Sequence, residues 1–165
     1  MALSTIAKTK RDITVIFKDL SAVHSLEISL ERGDLQVAVP GPTVNSFLDR
    51  GKFGSTPSLR YGDDQPMSMS ITGDLTDVSD AAYATLVELF ALTGYVGTTW
   101  VSTLGAAAEV KAWDVFVDVE GTTHGDATDH QMILRNVVVT GTIADGDPCA
   151  VAISGTSYDL YPEVT

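Results

Sequence analysis

A single cysteine, Cys149, stands in the whole chain, so no intramolecular disulfide can form and nothing argues for an oxidising compartment. No apolar stretch approaches the roughly 18 residues needed to cross a bilayer. The opening MALSTIAKTKRD has no apolar core of signal-peptide type, so neither a membrane partner nor export is indicated. Basic side chains are scarce, ten against twenty-two acidic ones, for a formal net charge of −12. A field of that sign repels nucleic acid from most of the surface and argues against a DNA-binding domain. Catalytic signatures are missing as well. No GxSxG elbow occurs, and GDD at 62–64 opens no glycine-rich helix start that would cradle phosphate. A lone cysteine in an apolar strand reads as a small core residue. His124, Asp126, Asp129 and His130 gather in GTTHGDATDH, but their spacing matches no dedicated metal site and the segment reads as a polar loop. The expectation is a protein that is not an enzyme and uses no metal or cofactor.

What is present is alternation. At 165 residues the chain suits one domain, able to bury about 70% of the surface its unfolded form exposes. DITVIFKD (12–19), HSLEISL (24–30), LQVAV (35–39) and PMSMSIT (66–72) each alternate apolar and polar residues, the period of a half-buried strand. ERGD (31–34) reads as a turn joining the second and third of these into an antiparallel hairpin. PGPTVNSFLDRGKFGSTPSLRYGDDQP (40–66) has no periodicity and holds four of the six prolines, so a long loop is expected there. SDAAYATLVELFALTG (79–94) carries Tyr83, Leu86, Val87 and Phe90 at helical spacing, with Ser79 as N-cap and Gly94 as stop. QMILRNVVVTGTI (131–143) is apolar on both faces around Ile133 to Val139 and belongs in the centre of the sheet or under the helix. ADGDP (144–148) is a turn, with Asp145 and Asp147 serving its backbone, and CAVAISGTSYDL (149–160) returns as a strand. The fold expected is mainly β: an antiparallel β-sandwich or distorted barrel with one flanking α-helix at about 79–93 and a long loop at about 40–66.

The charge is unevenly placed. Residues 1–60 hold eight basic and six acidic side chains, whereas 61–165 hold only Lys111 and Arg135 against sixteen acidic ones. Such asymmetry suits contact between one part of a subunit and another part of its neighbour. KAWDVFVDVEG (111–121) is the sharpest case. Trp113, Val115, Val117 and Val119 fall on one side of any strand built there, with Asp114, Phe116, Asp118 and Glu120 on the other. Carboxylates side by side on a sheet repel one another, so that face calls for an explanation.

The order of elements, and above all RYGDDQPMSMSITGDLTDVSDAAYATLVELF (60–90), resembles the major tail tube proteins of long-tailed bacteriophages. The resemblance covers nearly the whole chain as one tail-tube-like domain, 1–165. It implies a structural virion protein, assembled in the host cytoplasm, whose copies form hexameric rings. Those rings stack head to tail into a hollow tail tube that conducts the genome. Tape-measure, tail-tip and tail-terminator proteins would be its partners, and DNA would pass without specific binding. Candidates for the lumen are Asp114, Asp118 and Glu120, with Ser68, Ser70 and Thr72, or Ser25, Glu27 and Ser29, as neighbouring rows. Candidates for contacts between rings are Arg50, Lys52, Phe53, Arg60, Asp63 and Asp64 in the long loop and Lys8, Lys10 and Arg11 near the N-terminus. Residues 1–11 and 158–165 are candidate inter-subunit arms. Two other readings are open: the tube of a contractile secretion machine (an Hcp-like ring protein), and a virion decoration or carbohydrate-binding β-sandwich. The last would display aromatic side chains, whereas Trp100 and Trp113 read as core residues.

Overall fold

The computed structural model describes residues 12–22, 25–29, 34–47, 58–74, 100–105, 107–124, 127–147, 149–159 and 161–165. The helix expected over 79–93 and the arm 1–11 lie outside them. In chain order the strands are β1 (Ile13–Lys18), β2 (Ser25–Ser29), β3 (Asp34–Ala38), β4 (Val44–Phe47), β5 (Ser58–Tyr61), β6 (Met67–Asp74), β7 (Trp113–Val119), β8 (His130–Ala144), β9 (Ala150–Ser157) and β10 (Glu163–Val164). Eight of them form one sheet in the order β2-β1-β7-β8-β9-β6-β3, with β10 alongside β8, and every pairing is antiparallel.

One side of this sheet supplies the core. Val15 and Phe17 from β1, Met67, Met69 and Ile71 from β6, Trp113, Val115 and Val117 from β7 and Val151 and Ile153 from β9 are all buried in a single cluster. Leu26 and Ile28 of β2 and Leu35 and Val37 of β3 pack against the same cluster from opposite ends of the strand order. Eight strands at about 4.8 Å spacing cannot do this flat, so the sheet curls around its apolar face. Trp113 is wholly buried, and its ring meets Trp100 edge to face, with centroids 5.2 Å apart and planes at 84°. Gly155 is required where β9 passes over this cluster. A Cβ there would stand 2.6 Å from Val137 Cγ1 and 2.9 Å from Met69 Cγ.

β8 is central, as its apolar composition predicts, but it is not uniformly apolar on both faces. Val115 pairs with Leu134 and Trp113 with Val137, so two residues of β8, Arg135 and Asn136, stand opposite Asp114. This is a β-bulge, with Asn136 in the left-handed region at φ 52°. The extra residue flips the phase, which keeps Leu134, Val137 and Val139 all in the core.

Three expectations are corrected. β2 and β3 do not form a hairpin: β2 pairs with β1 and β3 with β6, at opposite ends of the strand order. The turn that matters is the one after β1. Ala22 N–H donates to Asp19 O across 3.1 Å, and Ala22 adopts φ 54°. The buried Asp19 carboxylate accepts from Ser21 Oγ (2.7 and 2.8 Å) and from Val101 N–H (3.2 Å). Nor is 40–66 loop throughout, since β4 and β5 form a separate antiparallel hairpin within it, Val44 opposite Tyr61 and Phe47 opposite Ser58. Its base is closed by Thr43 N–H to Asp63 O (3.0 Å) and Gly62 N–H to Thr43 O (2.6 Å). Cys149 is likewise not a core residue. It is half-buried at the start of β9, its Sγ 3.5 Å from Gly146 O.

Candidate functional site

The side of the sheet turned away from the core divides into two faces of opposite chemistry. The first belongs to β2, β1, β7, the N-terminal half of β8, and β10. Its cross-strand rows are set by register: Ser25, Lys18 and Asp114; Glu27, Ile16, Phe116, Ile133 and Glu163; Thr14, Asp118 and Gln131. Asp114, Phe116 and Asp118 do share one side of β7, as the alternation demands, but the carboxylates are not left to repel one another. Asp114 accepts from Arg135 Nη1 (2.5 Å) and from the bulged Asn136 N–H (3.1 Å), and Lys18 lies opposite it in register. Asp118 accepts from Gln131 Nε2 (2.5 Å). Between them Phe116 carries Lys18 Nζ at 4.1 Å and the Arg135 guanidinium at 5.7 Å from its ring centre, a cation–π arrangement. Arg135 also donates to Glu163 Oε2 (2.8 Å). Glu120 lies just past β7, exposed, and accepts from Thr123 Oγ1. The sequence pattern does not single out Lys18, Gln131 and Arg135, because their roles depend on which strands are neighbours and on the bulge.

The Arg135 hydrogen bond holds the Glu163 carboxyl below its ordinary range. A depressed folded pKa means that the contribution is complete above the ordinary glutamate value and is lost as pH falls through the folded one. In Arg135→Met, the Glu163 carboxyl is therefore expected to titrate at higher pH than in the parent, near the ordinary glutamate value. Side-chain NMR titration checks this, and an unchanged midpoint would show that the pair does not persist in solution.

The second face belongs to β3, β6, β9 and the C-terminal half of β8. Its rows are Asp34, Thr72, Ala152 and Thr142; Gln36, Ser70, Ser154 and Thr140; Ala38, Ser68, Thr156 and Val138. Seven of these twelve positions are Ser or Thr, and the one charged residue among them is Asp34. None of these twelve positions holds a basic or an aromatic side chain. Ser68, Ser70 and Thr72 thus sit within a broad hydroxyl surface, while Asp114, Asp118, Ser25 and Glu27 lie on the charged face.

Of the inter-ring candidates, Arg60 on β5 and Asp63 and Asp64 beyond it are exposed. Lys8, Lys10, Arg11, Arg50, Lys52 and Phe53 lie outside the described residues. The β4–β5 hairpin is exposed throughout its described side chains, and Val44, Leu59 and Tyr61 share one of its sides at 58%, 66% and 79% exposure. The segment 158–165 returns to its own sheet: Glu163 and Val164 pair with Ile133 and Met132, and Thr165 and Gln131 exchange backbone hydrogen bonds at 3.0 Å.

A hollow of about 430 Å³ at one end of β1 and β7 is lined by Asp12, Asp118, Glu120, Asp129, His130 and their neighbours. Its carboxylates serve the fold. Asp129 accepts from Gly121 N–H (2.9 Å) and Thr122 N–H (3.0 Å), and the backbone bonds hold its carboxyl below the ordinary range. Asp126 lies outside the described residues. Among the described residues no three His, Cys, Asp or Glu side chains converge as a metal site.

No protein-family model matches this chain, and no curated protein matches it in sequence. Comparison with solved structures does find the fold. A chain of the extracellular contractile injection system described as the PVC sheath-tube complex in its extended state superposes with a TM-score of 0.61 at 8% identity. The match covers 98% of this chain and 93% of that one, so the fold is shared over nearly the whole length of both.

Proposed function

We propose that the protein is the tube subunit of a contractile injection apparatus, a ring-forming protein whose copies stack into a hollow tube. The observation that carries this reading is the shared fold with a chain of a sheath-tube complex, end to end in both proteins. It favours a contractile machine over the tail of a long-tailed phage, although the same subunit geometry serves either.

The lumen is assigned to the hydroxyl face. A conduit must let a polymer slide, so its wall should lack fixed cations that bind anions and aromatic rings on which groups stack. The face of Ser68, Ser70, Thr72, Thr140, Ser154 and Thr156 meets both conditions, and the Lys18–Phe116–Arg135 cluster meets neither. Asp114, Asp118, Glu120, Ser25 and Glu27 are accordingly placed on the outside of the tube. The β4–β5 hairpin is the contact between rings. Two strands alone are marginally stable in water, and its Val44, Leu59 and Tyr61 side calls for a cover.

Electron microscopy of the purified chain at high concentration tests both assignments. Hollow tubes or rings are expected, with Ser70 and Ser154 at the channel wall in an averaged map. A chain that stays monomeric under all conditions overturns the tube, and a map with Phe116 and Arg135 at the wall reverses the choice of face.

A further inference from the structure

We infer that Asp114 is a positioning residue for the hydroxyl face: it clamps the β8 bulge and so decides which residues of β8 that face displays. This rests on the reading of the hydroxyl face as the channel wall and names what sets its composition.

The sequence of β8 leaves its phase open. Val137, Val138 and Val139 are consecutive, so either alternate set of the C-terminal half could be buried. One set is Val137, Val139, Gly141 and Ile143; the other is Val138, Thr140, Thr142 and Ala144. The bulge makes the choice. Leu134 and Val137 are both core residues, three apart instead of two, because Arg135 and Asn136 share the position opposite Asp114.

Closing the bulge with every residue in place would turn one half of β8 over, since a slip of one residue exchanges the faces. The N-terminal half is not free to turn. It would carry the Arg135 guanidinium into the core, away from Asp114 and Glu163, and an unpaired buried charge is very costly. The slip therefore falls on the C-terminal half. Val137, Val139 and Ile143 would then replace Val138, Thr140 and Thr142 on the wall, and a hydroxyl stripe would become an apolar one.

Both oxygens of Asp114 hold the bulge. Oδ1 accepts from Asn136 N–H (3.1 Å) and Oδ2 from Arg135 Nη1 (2.5 Å). Asn136 sits at φ 52°, a left-handed conformation that a residue with a Cβ keeps only when it is held there. Other bonds help. Asn136 Oδ1 accepts from Thr103 Oγ1 (2.9 Å), its Nδ2 donates to Asp159 Oδ2 (3.4 Å), and Arg135 O accepts from Ser157 Oγ (2.6 Å). Of these groups Asp114 is the charged one that reaches the backbone of the bulge, and charge-assisted bonds are the strong ones.

Thiol labelling of unassembled subunits tests the inference by reading the phase of β8. In a Cys149→Ser chain, one cysteine replaces Thr140, which is exposed, Val139, which is buried, or Ile71, which is buried on β6. With iodoacetamide, Thr140→Cys should label fast and the other two slowly. Adding Asp114→Ala should speed Val139→Cys about tenfold, the effect of losing a hydrogen bond to a charged group, and leave Ile71→Cys unchanged. Deleting Asn136 as well should return Val139→Cys to its original rate, because a strand without the extra residue keeps the same phase with no bulge. Asp114→Asn keeps the Oδ1 acceptor and loses the charge. It should speed Val139→Cys less, again selectively, and it carries the test if the alanine variant does not fold.

Equal acceleration at Val139→Cys and Ile71→Cys would show that Asp114 only stabilises the fold, and would overturn the positioning role. No acceleration at either site would overturn it too. So would a rise at Val139→Cys that deletion of Asn136 does not reverse, which is fraying of β8 without a change of phase. The labelling needs no assembly, so a chain that never forms tubes removes the channel wall and leaves the result for the bulge standing.

Discussion

Excision of residues 44–61 is expected to leave a folded subunit that closes into rings and no longer elongates. The ends left by the cut already touch, since Gly62 N–H donates to Thr43 O across 2.6 Å. No described residue of β4 or β5 belongs to the core cluster, and all the described side chains there are exposed. The fold should therefore lose little, within the range of about 0.5 kcal/mol usual for surface changes. Assembly should lose the most, because the excised hairpin carries the apolar side of Val44, Leu59 and Tyr61 with no covering surface among the described residues. Sedimentation velocity and microscopy of the shortened chain, with urea unfolding as the control, separate the two effects. Tubes of normal length from this variant would take the bridging role away from the hairpin.

Trp113→Ala should have the largest effect on the subunit itself. Trp113 is fully buried, packs edge to face on Trp100, and stands opposite Val137 where the bulge begins. Truncating a buried aromatic residue to alanine costs about 3–5 kcal/mol, a large part of the 5–15 kcal/mol that typically holds a domain together. Trp113→Phe should cost much less. It keeps most of the ring and removes Nε1–H, a buried donor that has no acceptor among the described residues and so contributes nothing to offset its desolvation. Urea midpoints at constant slope measure both variants. Equal losses would mean that the indole nitrogen is satisfied in solution.

Strand positions and faces were legible because burial writes them into the alternation. Met67, Met69 and Ile71 turn inward and Ser68, Ser70 and Thr72 outward, as the spacing requires. Pairing was not legible. HSLEISL and LQVAV look like two arms of a hairpin, yet alternation specifies a face and carries no information about the neighbour. β4 and β5 escaped notice for a related reason: with both sides in water, VNSF and SLRY have no burial pattern to display. The bulge at Arg135 and Asn136 hid the rest. It shifts the phase of β8, so that core residues fall at even positions before it and odd positions after it, and it brings Arg135 to Asp114 from 21 residues away. The acidic side of KAWDVFVDVEG is therefore a cation-bearing surface, with Asp114 ion-paired to Arg135 and Asp118 hydrogen-bonded to Gln131. The face we propose for the channel combines the Ser and Thr alternation of β6, already among the candidates, with residues of β8 and β9 that carry no charge to draw the eye.

A wall of serine and threonine is wet without being sticky. Each hydroxyl offers one donor and two acceptors on a bond that turns freely, so it anchors water while exchanging partners at little cost. If that face lines the channel, a passing polymer rides on a hydration film and meets few fixed charges. Drag in such a conduit is set by the viscosity of confined water, and transit should be nearly indifferent to ionic strength. The charged face, turned outward, is then the part of the assembly whose contacts weaken as salt rises.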